Sequence, residues 1–428
     1  MTARMTLAAG SERLIPVPDP VARDYLLLAL RLDQRTPGLV DGYFGPADLK
    51  AQVDMEQLGS PARLVDDATD LRARLPSEVD DPARRRWLEA QVVALEAQAR
   101  VLAGEAPAYL DHVERLFDFR PSRRSDQQFL EIAARLEDLV PGPGDLRNRL
   151  AALDASLAVP PDRIPAAADW LVAGFRARAR EQFGLPEGES LRVRLVRNQP
   201  WSGYNWYDGG LRSRVDLNTD LPIRAPDLIT VLAHETFPGH HLEHAWKEAD
   251  LVVSQGRHEA SVLLINTPEC LVSEGLADLG RRFAVGPEGD VPLLAELAER
   301  ADLAGAGGTA AERRSWAERQ SEIAALRRAM GAIAVNAALM RHEDGRSHAD
   351  VAAYLVDVGL MAPERAEKRL SFIEHPLWRS YIFVYSEGEQ LLRQWLDAVA
   401  PHEQQARFAR LLHEQLTPGG ILSELRGG

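Results

Sequence analysis

Thr230-Val231-Leu232-Ala233-His234-Glu235-Thr236-Phe237-Pro238-Gly239-His240-His241-Leu242-Glu243-His244 places four histidines and two glutamates within eleven residues. A hydrophobic core does not ask for that, and a solvated helix face rarely uses so many imidazoles. Neutral imidazole suits zinc, and a His followed directly by Glu opens the zinc-hydrolase helix, in which the Glu acts as general base. In the usual His-Glu-x-x-His spacing the two rings sit one turn apart on one face. Here the fourth residue after His234 is Pro238, which cannot bind a metal. On an ideal helix His240 falls about 240° from His234, while His241 returns to within about 20° but lies roughly 10 Å further on. A bulge at Pro238-Gly239, where Pro interrupts the helix and Gly tolerates unusual dihedrals, absorbs the two extra residues. That makes His240 the expected second ligand, with His241 as the alternative ligand or a substrate contact, and His244 third in order.

Two histidines do not complete a catalytic zinc site, which has three protein ligands and keeps one position free. The third ligand is expected at Glu274, in Pro268-Glu269-Cys270-Leu271-Val272-Ser273-Glu274-Gly275-Leu276-Ala277-Asp278. Glu274 and Asp278 are four apart on an expected helix and share a face. Asp278 is placed to accept the second ring N–H of a ligand histidine. One zinc ion per chain is the expected cofactor, and the same ligand types admit other divalent transition metals.

The whole composition narrows the remaining classes. The chain has 428 residues, 45% of them apolar and 27% charged, and a formal charge of −14. A nucleic-acid binder would show a basic stripe, and an anionic membrane surface would repel this chain, so neither is an expected partner. The single cysteine, Cys270, allows no intrachain disulfide and reads as a small core residue. The first ten residues hold no secretory apolar run and no stretch reads as a membrane span, so a cytoplasmic protein is expected.

Taken in order, the chain reads as mainly α. The start to Pro20 reads as loose, and Val21–Leu32 as a helix with Tyr25, Leu28, Ala29 and Leu32 on one side. Residues 36–46 read as a turn-rich link whose aromatics pack rather than bind. Helix follows helix from Ala47 to Phe183, the clearest being Asp81–Leu102 with its stripe of Leu88, Val92, Leu95, Ala99 and Leu102. Residues 1–185 are therefore an N-terminal helical region. Residues 186–428 form a metal-binding region, and the two are expected to pack as one unit around a cleft. Ser190–Arg197 and Leu211–Asn218 alternate as strands, flanking an aromatic loop at Trp201–Gly210. They predict a small antiparallel sheet beside the metal helix, whose edge could hold an extended substrate. The metal helix is expected from Pro226 to Lys247, broken at Pro-Gly. Later helices are expected at 268–283, 291–304, 309–341, 347–358, 362–372, 377–399 and 402–416, with a frayed tail from Pro418. Amide hydrolysis needs a donor for the oxyanion, and Tyr381 and Tyr385, four apart, are the expected donors. Arg379 and Asn218 are the expected substrate contacts.

His-Glu-x-x-Pro-Gly-His-His, at His234–His241, resembles the signature of the family called domain of unknown function 885. Pro37–Pro46, Ser273-Glu274-Gly275 and Pro376–Gly388 are similar to further stretches of that family, so the anchors span most of the chain. The resemblance implies a zincin-like helical protein, distantly similar in plan to carboxypeptidase Taq and thimet oligopeptidase. It implies metal at His234, at His240 or His241, and at Glu274, with Glu235 as base. It also implies a transition-state role for Tyr385, which precedes Glu387-Gly388. The chain departs from the pattern at Asn336 and Met340, where an Asp and a His are expected, and at Leu276, where an aromatic is usual. The expected activity is zinc-dependent hydrolysis of peptide or amide bonds in short peptides or small amides, with Glu235 activating water. The alternatives are a non-catalytic metal-binding or regulatory protein of the same fold, and a helical scaffold with a fortuitous histidine cluster.

Overall fold

The computed structural model describes residues 17–199 and 201–427, together with the backbone of residues 6–7 and 14–15. The expectation of a loose start before Pro20 falls largely outside the described residues. The chain is mainly α, with nineteen α-helices and seven short strands among the described residues. Local chemistry sets the helix starts. Asp19 and Asp81 accept hydrogen bonds from the first-turn amides of Pro20–Asp33 and Pro82–Leu102, each with proline in its first turn. Thr309 and Ser347 open Ala310–Met330 and His348–Asp357 with capping boxes. The stripe on Pro82–Leu102 is buried from Leu88 to Ala99, and Trp87 joins it.

One hydrophobic core runs from Val21 to Ile421. It joins residues before 185 to residues after 186, and both halves line the cleft described below. The segment 36–46 is more than a link: Val40–Tyr43 pairs antiparallel with Val262–Leu264. Its aromatics pack as expected, with the Tyr43 hydroxyl donating to the Pro46 carbonyl at 2.8 Å and Phe44 edge-on to Tyr207 at 5.0 Å.

The sheet beside the motif has three strands. Ser190–Val196 lies parallel to Arg212–Asn218, and Gly203–Gly209 lies antiparallel to it on the other side. The aromatic loop expected at 201–210 is therefore mostly strand. Its two-residue period puts Tyr204 and Trp206 together, ring centroids 4.5 Å apart, while Asn205 and Tyr207 face the motif helices. The antiparallel pair is the one against the metal helix, and the first strand makes the sheet mixed.

Two expected helices and the tail differ from the reading. The 309–341 run breaks at Gly331-Ala332 into Ala310–Met330 and Ile333–His342. A window within Ala310–His342 is long and apolar enough to cross a membrane, with mean hydropathy 1.4. Half of that window is buried in the fold and Arg327 is paired with Asp154, as in a core helix. The expected 377–399 helix starts only at Val384. Trp378 and Arg379 turn back onto the His375 carbonyl at 3.1 and 2.9 Å, followed by a short 3-10 turn at Tyr381–Phe383. The tail is not frayed: Pro418–Gly427 is helical, Ile421 is buried, and Glu424 accepts from Arg410 and from the Trp395 indole at 2.9 Å.

Candidate metal centre

The motif forms two helices rather than one. Ala225–Glu235 carries His234 at its end, and His240–Lys247 starts after a tight corner containing a cis Phe237–Pro238 bond. Gly239 is required there, since a Cβ would lie 1.8 Å from the His234 carbonyl oxygen and 2.6 Å from that of Ala233. The break turns His240 back towards His234, with ring centroids 4.7 Å apart. The same turn sends His241 the other way. It is fully buried, with Nδ1 2.8 Å from Ser213 Oγ and Nε2 3.1 Å from Glu189, so it ties the sheet to the helix and stands apart from the cleft. Burial, opposed by Glu189, holds its imidazole below the usual range.

Pro268–Val285 supplies the carboxylates. Ligand atoms of His234, His240 and Glu274 all lie within 4.8 Å of one another. His234 Nε2 is 3.4 Å from Glu274 Oε2, and His240 Nε2 is 3.8 Å from Oε1. The opposite ring nitrogens are occupied: His234 Nδ1 meets Asp278 at 2.8 Å, and His240 Nδ1 faces Ser273 Oγ at 3.3 Å. Each ring is thereby oriented with Nε2 inward. Glu274 Oε2 is buried without a hydrogen-bond partner, while Oε1 accepts from Tyr381 at 2.7 Å. A carboxylate oxygen without a hydrogen-bond partner, facing two aimed imidazole nitrogens, is a donor set that could hold a divalent metal ion, and the residue types fit one.

The electrostatics agree. Burial would lower His240, but Glu243 and Glu274 outweigh it and raise the imidazole to about 10. Burial would raise Glu274, but the two imidazoles facing it hold it well below the usual carboxylate range. A field that pulls protons onto two rings also attracts a dication, which displaces them. A second grouping, His240, Glu243 and His244, is less suited. Glu243 already carries the Lys247 ammonium at 2.7 Å, and burial pushes the His244 imidazole down to about 3.

Glu235 borders the cleft one residue after the first ligand. Asn205 on the facing strand donates to the Glu235 carbonyl at 2.7 Å. Burial, only partly offset by His234 and His240, raises the Glu235 carboxyl above its ordinary value. The cavity over these groups holds about 370 Å³. Tyr381 and Tyr385 both line it, rings 5.6 Å apart. Tyr381 is committed to Glu274, whereas Tyr385 is 41% exposed.

The two expected substrate contacts lie elsewhere. The Asn218 amide donates to the Gln199 and Trp201 carbonyls at 2.9 and 3.0 Å and holds the turn between strands. The Arg379 guanidinium lies 5.0 Å above the Tyr109 ring, because the turn at Trp378 points it away from Tyr381. Of the departing positions, Asn336 bonds to the Arg124 backbone and to Tyr354, Leu276 is buried, and Met340 packs against the core; none lines the cavity. The sequence reading missed Asp41, which receives a short hydrogen bond from Tyr204 at the cavity wall, and also Ser273 and Lys368. Asp41 sits among the aromatics of the 36–46 segment, and nothing in its spacing marks it. Cys270 lines the cavity as well, and burial pushes its thiol well above the usual value.

No family model and no curated protein matches the chain. Some solved structures align with much of the chain at low identity. A protein called BsuCP is 11% identical, with 95% of this chain and 93% of that one covered and a TM-score of 0.48. Two proteins each named a "putative lipoprotein" are similar to the same extent. The one from Colwellia psychrerythraea is 15% identical over 86% of this chain and 67% of its own, with a TM-score of 0.49. The one from Shewanella oneidensis is 12% identical over 95% and 83%, with a TM-score of 0.47.

Proposed function

We propose that the protein is a zinc-dependent hydrolase of peptide or amide bonds in small substrates, a member of the domain of unknown function 885 family acting in a reducing compartment such as the cytoplasm. The observation that carries this is the convergence of His234, His240 and the orphaned Glu274 oxygen beside a buried Glu235. His234, His240 and Glu274 would hold the ion. Zinc bound there supplies Lewis acidity to a scissile carbonyl and to a water molecule. Glu235 takes the proton of the attacking water at its carboxylate and gives it to the leaving amine nitrogen. Its raised affinity for protons and its burial suit both transfers. Tyr385, with its ring in the cavity, donates to the oxygen on which charge develops. Tyr381 positions Glu274. The strand edge at Gly203–Asn205 lines the cavity and offers backbone to an extended substrate. Asp278 fixes the His234 ring. The cavity volume suits a short peptide or a small amide.

The test is a mass-spectrometric screen of short peptides and acyl-amides with protein as purified, after chelation, and after zinc is restored. The proposal expects cleavage that chelation abolishes and zinc returns. Metal bound with no turnover across the screen would leave the non-catalytic reading in its place.

A further inference from the structure

The chain is strongly acidic, yet one cavity is strongly basic. Six arginines and only two aspartates line a cavity of about 450 Å³ beside the start of the first motif helix. Three of the six are spoken for. Arg147 pairs with Asp145 at 2.9 Å, and Arg224 and Arg327 both hold Asp154. Arg224 also takes Asp227, the second aspartate of the cavity, at 2.6 Å.

The remaining three line the same cavity without an acid held close to any of them; Arg365 and Arg369 are exposed at its rim and Arg328 is half-buried. Among the described residues the side chains of Arg365 and Arg369 carry no hydrogen bond or ion pair. Arg328 has only Asp290 at 3.9 Å, and Asp290 is already engaged by Arg281. Burial and the neighbouring Arg281 hold the Arg328 guanidinium below its usual value. Like charges gathered around one cavity repel, and the arrangement is relieved by an anion that accepts from several forks at once.

This cavity neighbours the metal centre. Thr230 lines it, and His234 lies one turn further along the same helix, about 6 Å by helical rise. On the Pro363–Glu374 helix, Arg365 and Arg369 face the basic cavity while Lys368 and Phe372 face the metal cavity. Arg369 lies within electrostatic reach of Tyr385. The metal cavity itself is lined by Asp41, Glu235, Glu243, Glu269 and Glu274 against the single Lys368, so the two neighbouring cavities have opposite charge.

We propose that Arg328, Arg365 and Arg369 form an oxyanion-binding subsite beside the metal cleft, receiving a carboxylate or phosphate carried by the substrate. The subsite rests on the hydrolase reading for its role, and its anion affinity is measurable without it. Arginine forks recognise both oxyanions in bidentate fashion, and the side chain or terminus that bears the group decides which is used.

Isothermal titration at low ionic strength, with inorganic phosphate and with succinate as probes, tests this. Wild type, Arg365→Gln/Arg369→Gln and His240→Ala are titrated side by side, with folding checked by circular dichroism and metal content measured in each. Wild type and His240→Ala are expected to bind at least one probe, and the double arginine variant to bind it at least tenfold more weakly with its metal retained. Tighter binding of phosphate assigns a phosphorylated substrate, and tighter binding of succinate an acidic one. No binding to wild type, or equal binding by the arginine variant, overturns the subsite. Loss confined to His240→Ala also overturns it, because the anion is then on the metal. Wild type without metal but with arginine-dependent anion binding overturns the hydrolase reading and leaves the subsite standing.

Discussion

Gly275 and Gly388 meet backbone against backbone: a Cβ on Gly275 would lie 2.4 Å from the Gly388 carbonyl carbon, and one on Gly388 would lie 2.4 Å from the Leu271 carbonyl oxygen. This crossing brings Pro268–Val285 onto Val384–Asp397 and sets Glu274 facing Tyr381. Gly388→Ala must push the helices apart and is expected to cost about 3 kcal/mol, the upper part of the usual overpacking range. Urea unfolding measures the cost. A change below 1 kcal/mol would mean that the helices are not in this contact.

Asp278 holds the Nδ1 side of the His234 ring at 2.8 Å. Asp278→Asn keeps the shape and loses the charge. We expect zinc affinity to fall by about 10- to 100-fold, the usual effect of removing a carboxylate behind a ligand histidine. Competition with a chromophoric chelator reads this directly, and unchanged affinity would remove His234 from the ligand set.

Glu235→Gln leaves all three ligands in place and removes the base. Turnover is expected to drop by about 10²-fold or more with metal content unchanged. A Gln variant that cleaves as fast as wild type would exclude Glu235 from proton transfer.

Acid stability has a marker outside the cleft. Burial, with Arg379 and Arg115 nearby, pushes His112 down to about 4, and its Nδ1 has no hydrogen-bond partner. The unfolded chain takes up this proton near pH 6.5, before the folded one does. The stability tied to neutral His112 is therefore complete above about pH 6.5 and declines as pH falls towards 4, by a few kcal/mol at most. Wild type and His112→Gln, compared by chemical unfolding across that window, should differ in slope. Parallel slopes would place His112 in water.

Much of the candidate site was legible because ligand chemistry is local. His234-Glu235 and the i, i+4 spacing of Glu274 and Asp278 name themselves: the structure sets His234 Nε2 against Glu274, Asp278 behind the same ring, and Glu235 on the wall of the same cavity. Choosing between His240 and His241 required the corner, since only the packing of Gly239 on the His234 carbonyl shows which ring turns inward. The helical class followed from periodicity and caps. Three-dimensional pairing did not: Val40–Tyr43 is a strand because Val262–Leu264 lies beside it, more than 200 residues away. Arg379 and Asn218 were reasonable as polar residues near the motifs, but a turn and a loop carbonyl pair claim them. Arg365 and Arg369 look like ordinary helix surface, and only the fold brings them to one cavity with Arg328.

The central claim is that His234, His240 and Glu274 hold one metal ion, and metal content measured by plasma mass spectrometry tests it most directly. Protein purified without chelator or affinity tag is compared as wild type, His240→Ala, His241→Asn and Glu274→Ala. The account predicts about one zinc per chain in wild type and in folded His241→Asn, and loss of zinc in His240→Ala and Glu274→Ala. Wild type that takes up no metal even after zinc is added back would contradict it, as would His240→Ala that keeps a full ion.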